Sequence, residues 1–188
     1  RKSQIPTKGC VTKPREALFV ASRRRRGIAR GSFLSYLFAV DDPRTGKRIA
    51  VKIPRLSGPY KRAFRQEIKI TQVLSDGKFG FMPRLEYTNK RCLIMEWING
   101  ESLGEWAKGK RPVEIVAKIR ELLNVLAELH TKYKIVHRDI KPENIMVTSS
   151  GEIKLLDFGA AREIGKPFEK KGRVVGTSLW MAPEQVIG

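Results

Sequence analysis

Eight consecutive residues, His137-Arg138-Asp139-Ile140-Lys141-Pro142-Glu143-Asn144, constrain this chain more than any other stretch. They place a carboxylate suited to be a base, a cation suited to a phosphate and an amide oxygen suited to a metal in one loop. Pro142 fixes φ in the middle of that loop and limits how it can fold. A strongly periodic segment leads into it. Val113, Val116, Ile119, Leu122, Leu123, Leu126 and Leu129 form one apolar stripe, with Glu114, Lys118, Glu121 and Glu128 off it, which predicts a helix over 112–132. Pro112 suits its first turn. The stripe is expected to lie in the core. Asp157-Phe158-Gly159 stands 13 residues beyond Asn144, and Ala182-Pro183-Glu184 follows near the end. Any one triplet arises by chance, whereas all of them in this order and spacing do not.

These motifs make the chain resemble the eukaryotic-like (Hanks-type) Ser/Thr protein kinase family, from about Ile28 to the last residue. The resemblance implies a two-lobed α+β fold with an ATP and Mg2+ site in the cleft. It divides the chain into a basic N-terminal extension (1–26), a sheet lobe with one helix (27–95) and part of a second lobe (96–188). It makes Asp139 the base that accepts a substrate hydroxyl proton and Lys141 the cation on the transferring phosphoryl group. A Lys there resembles Ser/Thr rather than tyrosine kinases. Lys52, in Ala50-Val51-Lys52, would grip the α- and β-phosphates, and Glu67, on a helix predicted over 61–74, would hold its ammonium in place. Asn144 and Asp157 would bind magnesium, a metal that takes few protein ligands and keeps its waters. Ala29, Gly31, Ala50, Met95, Glu96, Ile98 and Met146 would surround the nucleotide, with Met95 as gatekeeper and Met146 in the floor. Adenine would bond to the backbone of Glu96-Trp97-Ile98-Asn99-Gly100. His137 and Phe158 are expected to pack. Gly176-Thr177 resembles the substrate-docking turn, where a Thr hydroxyl steadies the catalytic loop.

The chain departs from the family pattern in three places. Ala29 to Tyr36 stands where the Gly-rich loop is expected, and Gly31 alone survives of three glycines. Leu34 would put bulk over the phosphates, and Tyr36 would stand over the adenine. From Ala160 to Val175 no side chain carries a hydroxyl, so Arg138, which in this family reads an activation-segment phosphate, is left to pair with Glu163 or Glu169. After Ala-Pro-Glu the sequence runs only to Gly188, whereas family members continue through further helices. The lower lobe is therefore completed by a partner chain, rebuilt, or lies outside this stretch. A helix lacking its partner exposes apolar area.

Charge adds a second line of argument. The formal net charge is +19, and residues 1–30 hold ten basic residues against Glu16, contributing +9 of it. Such an arm implies an acidic partner, RNA, DNA or another polyanion. Cys10 and Cys92 have no C-x-x-C spacing and read as free thiols in a reducing compartment, so the chain is expected inside the cell, in the cytoplasm. The Arg-rich, acid-poor start also fits an organelle-targeting remnant. No apolar run reaches the roughly 18 residues that span a bilayer. The reading from sequence is a protein Ser/Thr kinase acting on a protein substrate. The alternative is a pseudokinase or structural module in a larger assembly that contains nucleic acid.

Overall fold

The computed structural model describes residues 35–42, 45–55, 58–166 and 176–187. The basic first thirty residues, Cys10, the segment Ala29–Leu34 with Gly31, and Glu169 lie outside these.

Two largely apolar runs, SYLFAVD and RIAVKIP, separated by a Gly-containing turn form the first hairpin. Strands β1 (Ser35–Asp41) and β2 (Arg48–Pro54) pair antiparallel, and Gly46 takes φ +69 in the turn between them. With β3 (Leu85–Asn89) and β4 (Cys92–Glu96) they make a four-stranded sheet in the order β1-β2-β4-β3. Alternation along the strands sorts the side chains onto two faces. On one face Val40, Ile49, Val51, Cys92 and Ile94 are buried, with Phe38, Ile53 and Tyr87 against them. On the other, Leu93 packs with Leu85 and Met95 against Phe64 and Ile68 of helix α1 (Gly58–Asp76). Helix α1 ends because Lys78 turns to φ +59 and the Phe79 amide donates to the Leu74 carbonyl at 2.9 Å, closing the last turn.

The register corrects one expectation. Tyr36 pairs with Ile53 and Leu37 with Lys52, so Tyr36 lies on the face opposite Lys52 and Ala50. It does not stand over the cleft. Its ring instead takes the Arg55 guanidinium at 4.4 Å and sits 6.4 Å from the Phe38 ring. Leu37 occupies the cleft face. A one-residue shift is enough to cause this, because the side-chain period of a strand is two.

The second half is built on helix α3 (Pro112–Thr131), preceded by β5 (Gly100–Ser102) and the short helix α2 (Leu103–Ala107). Ser102 Oγ accepts from the Glu105 amide to start α2. Glu114 reaches back to the Arg111 amide and side chain to start α3, with Pro112 at its first position. Then come β6 (Ile135–Val136), β7 (Ile145–Thr148), β8 (Ile153–Leu155), β9 (Arg162–Glu163) and α4 (Pro183–Ile187). β5-β7-β8 form one small sheet and β6-β9 another. One core joins Leu122, Val125 and Leu129 of α3 to Ile145, Val147, Ile153 and Leu155, and to Ile70 and Leu74 of α1.

The stripe on α3 does not all enter that core. Leu122, Val125 and Leu129 are buried, while Val113, Val116 and Leu123 are 64, 57 and 59% exposed and Ile119 is exposed too. At about 100° per residue the two groups occupy adjacent arcs of the helix. Only the arc facing β7 and β8 meets packing partners among the described residues. No helix of the described residues is long and apolar enough to cross a membrane.

Candidate active site

Local rules bring the loop from His137 to Asn144 to one place. β6 delivers His137, and a tight 3-10 turn over Pro142–Asn144 carries the chain into β7. His137 is buried beside Phe158, ring centroids 5.0 Å apart. Its Nε2 donates to the Leu156 carbonyl at 2.9 Å, and its Nδ1 accepts from the Asp139 amide at 3.4 Å. Burial pushes its pKa down, so the ring is neutral in this role. It ties the loop to the segment between β8 and Asp157. Arg138 takes φ +66, a conformation that costs a non-glycine residue about 1–3 kcal/mol.

Asp139 is surrounded by donors. Thr177 Oγ1 donates to its Oδ1 at 2.7 Å, Asn144 Nδ2 to its Oδ2 at 2.8 Å, and Lys141 Nζ lies 3.1 Å from Oδ2. Lys141 also donates to Thr177 Oγ1 at 2.6 Å. A carboxylate has about four acceptor sites, so one remains for a further donor such as a substrate hydroxyl. Gly176 makes the approach of Thr177 possible. It takes φ +132, and a Cβ there would lie 2.9 Å from the Arg138 carbonyl. Gln185 Nε2 donates to that same carbonyl at 2.9 Å. Gln185 has no sequence signal, because it lies 47 positions from its partner.

Lys52 unites three distant segments. Its ammonium donates to Glu67 Oε1 at 2.5 Å and Asp157 Oδ1 at 2.8 Å, and both Lys52 and Glu67 are buried. Burial works against the ammonium, but the charges of Asp157 and Glu67 outweigh it and hold its pKa above the usual lysine value. Burial pushes the Glu67 carboxyl up to about 7, only partly offset by Lys52. Asp157 is disfavoured by burial too, yet Lys52 and the Gly159 amide hold it below the usual carboxylate range. Asp157 sits at φ +58, which aims its carboxylate at Lys52.

The oxygens suited to a magnesium ion follow from these bonds. Asn144 Nδ2 donates to both the Asp139 carbonyl and carboxylate. The carbonyl can only accept, so the amide orientation is set and Asn144 Oδ1 faces away. Asp157 uses Oδ1 for Lys52 and Gly159. No bond to Asn144 Oδ1 or Asp157 Oδ2 occurs among the described residues. Two such hard oxygens fit a metal that completes its shell with water and phosphate. No cluster of three or more His, Cys, Asp or Glu side chains suited to a metal occurs among the described residues.

Of the remaining expected residues, the register puts Ala50 and Met95 on the Lys52 face of the sheet and Glu96 on the other. Ala50 is buried on the Lys52 face and pairs with Met95, which packs on α1. The Glu96 amide donates to the Arg84 carbonyl and its carboxylate accepts from the Arg84 amide. Ile98 is half-buried in the link before β5, and Met146 is half-buried between Ser102 and Lys154. Ala29 and Gly31 lie outside the described residues. Glu163 does not reach Arg138. It pairs with Lys69 at 3.4 Å and with Lys166. Glu163 lies on β9 between two lysines, while burial first and the like charge of Arg162 second lower the Arg138 pKa.

The protein kinase domain model matches residues 24–188. The chain is 32% identical over 192 residues to the serine/threonine-protein kinase PknA of Mycobacterium tuberculosis, covering 93% of this chain and 44% of that protein. It is 33% identical to the serine/threonine-protein kinase pakA of Talaromyces marneffei (92% and 27%) and 31% identical to mitogen-activated protein kinase kinase 2 of Arabidopsis thaliana (77% and 41%). It therefore spans less than half the length of these relatives. A buried lysine shared by two carboxylates, a loop carboxylate held by Thr, Asn and Lys, and a match over most of the length agree: the chain belongs to the protein kinase domain family.

Proposed function

We propose that this chain transfers the γ-phosphate of ATP to a serine or threonine hydroxyl of a protein. The observation that carries the reading is the Asp139 environment, a carboxylate with three donors and one acceptor site left. Asp139 takes the proton of the substrate hydroxyl, the hydroxyl oxygen bonds the γ-phosphorus, and the bond to the ADP oxygen breaks. Lys141 balances charge beside the reacting group, while Lys52, fixed by Glu67, holds the α- and β-phosphates. Asn144 and Asp157 are the residues that would hold magnesium, which when bound neutralises phosphate charge. Ala29, Gly31, Ala50, Met95, Glu96, Ile98 and Met146 surround the nucleotide in this reading. The units are 1–26, 27–95 and 96–188.

Two features of regulation and partners belong to the same proposal. The segment 160–175 has no hydroxyl, so activity does not require its phosphorylation. Residues 1–30 bind a polyanion, and each phosphate contact steepens the loss of affinity with salt. In this reading the protein works inside the cell, in the cytoplasm or an organelle, and a further chain or segment covers the exposed arc of α3.

The test is a pair of measurements on the same protein. Asp139→Asn is expected to lower transfer to a Ser/Thr peptide by about 10²–10⁴-fold while the thermal shift with ATP and magnesium persists. Asp157→Asn is expected to abolish that shift. Equal kcat in Asp139→Asn and wild type removes Asp139 as the base. A shift without any transfer by wild type identifies a nucleotide-binding pseudokinase.

A further inference from the structure

One backbone carbonyl beside Asp139 is where three segments meet. Arg138 is held at φ +66, and its carbonyl belongs to the same rigid peptide plane as the Asp139 amide. At the amide end that plane is held loosely, with the Asp139 N–H donating to His137 Nδ1 at 3.4 Å. At the carbonyl end Gln185 Nε2 donates at 2.9 Å. Gln185 is itself fixed. Its backbone amide donates to the Ala182 carbonyl at 2.9 Å, and its Oε1 accepts from the Ala182 amide at 3.2 Å. The Ala182 amide can only donate and the Arg138 carbonyl can only accept, so the orientation of the side-chain amide is set at both ends. Gly176 leaves room for the contact. A Cβ there would lie 2.9 Å from the Arg138 carbonyl oxygen and 3.3 Å from Gln185 Nε2.

We infer that Gln185 is a positioning residue for phosphoryl transfer: through the Arg138 carbonyl it fixes the peptide plane that leads into Asp139, and with it the direction of the Asp139 carboxylate. Rotation of that plane turns the Cα–Cβ bond of Asp139. Oδ1 then leaves Thr177 Oγ1, now at 2.7 Å, and Oδ2 leaves Asn144 Nδ2, now at 2.8 Å. A left-handed conformation at a non-glycine residue persists only where its surroundings hold it, and the Gln185 amide supplies such a hold at Arg138. The effect falls on the chemical step. Lys52, Glu67 and Asp157 are joined by bonds of their own on other segments, so ATP binding is left as it is. This role rests on Asp139 being the base, and the experiment below separates its failure from a failure of that reading.

The experiment uses the full chain and steady-state transfer from ATP to a Ser/Thr peptide. Gln185→Met removes both side-chain bonds. Gln185→Glu keeps the shape and the acceptor for Ala182 but presents an acceptor to the Arg138 carbonyl, and it keeps the test open if Gln185→Met disturbs folding. Each is expected to lower kcat about three- to tenfold with the KM for ATP unchanged. In an Asp139→Asn background, Gln185→Met is expected to change the residual rate by less than about twofold, because a residue that acts through Asp139 has nothing left to position. Values of kcat within about twofold of wild type in both variants overturn the inference. So does an equal loss in the Asp139→Asn background, which would mean a general effect on the fold. A Gln185→Glu enzyme as fast as wild type beside a slow Gln185→Met enzyme also overturns it, since shape and not the donor would then matter. If wild type transfers no phosphate, the proposed function falls, and amide hydrogen exchange over residues 138–144 still decides the clamp. Faster exchange in Gln185→Met supports it, and unchanged exchange overturns it.

Discussion

Thr177→Val removes one hydroxyl and almost no volume, so it isolates the bond between the Gly176-Thr177 turn and Asp139, the proposed base. In the folded chain that hydroxyl donates to Asp139 Oδ1 at 2.7 Å and accepts from Lys141 at 2.6 Å. A hydrogen bond to a charged group contributes about 1.5–3 kcal/mol. Lys141 keeps its contact with Asp139 Oδ2 at 3.1 Å, so the loss falls on Oδ1 alone. At about 1.4 kcal/mol per tenfold, kcat falls roughly 10- to 150-fold if the bond matters fully in the transition state. The KM for ATP stays unchanged, because the Lys52 cluster has no contact with Thr177. Steady-state transfer to a Ser peptide reads both constants. Thr177→Ser restores the hydroxyl and is expected to return kcat to within about threefold of wild type. A Thr177→Val enzyme within about twofold of wild type refutes the reasoning. So does a Thr177→Ser enzyme as slow as Thr177→Val, which would make the methyl group, not the hydroxyl, the working part.

Other outcomes follow from the same geometry. Lys52→Met and Glu67→Gln are expected to be non-additive in urea unfolding, with a coupling of about 0.5–3 kcal/mol, and strict additivity would show that the 2.5 Å contact carries no energy. The folded chain holds the Glu67 proton up to about pH 7, whereas an unperturbed carboxyl releases it near 4.5. The fold binds more protons in that window, so stability falls as pH rises through it, and Glu67→Gln is expected to remove the slope. A slope that survives Glu67→Gln places its origin elsewhere. Gly100→Ala is expected to lower stability by about 1–3 kcal/mol by overpacking. Its Cβ would lie 2.2 Å from the Val147 carbonyl, and an unchanged urea midpoint would mean that β5 does not pair closely with β7.

Much of the site was legible from local order in the chain. The loop from His137 to Asn144 and the Asp157-Phe158-Gly159 turn carry their chemistry within a few residues, and backbone geometry alone keeps such neighbours together. The periodic helix of 112–132 was legible for the same reason, since its repeat is set by the backbone and ends at Thr131. Contacts across long stretches were decided only by packing. Lys52 meets Glu67 and Asp157 across 15 and 105 positions, and Thr177 meets Asp139 across 38. The family resemblance pointed at these pairs, but no spacing rule reaches so far. Periodicity also says which residues share a face and not what covers it, so Val116 and Leu123 read as core and are exposed. Tyr36 makes the point at the scale of one residue. Its strand character is local, while the side it faces depends on register with β2, and register is settled by which face of the sheet buries its apolar groups.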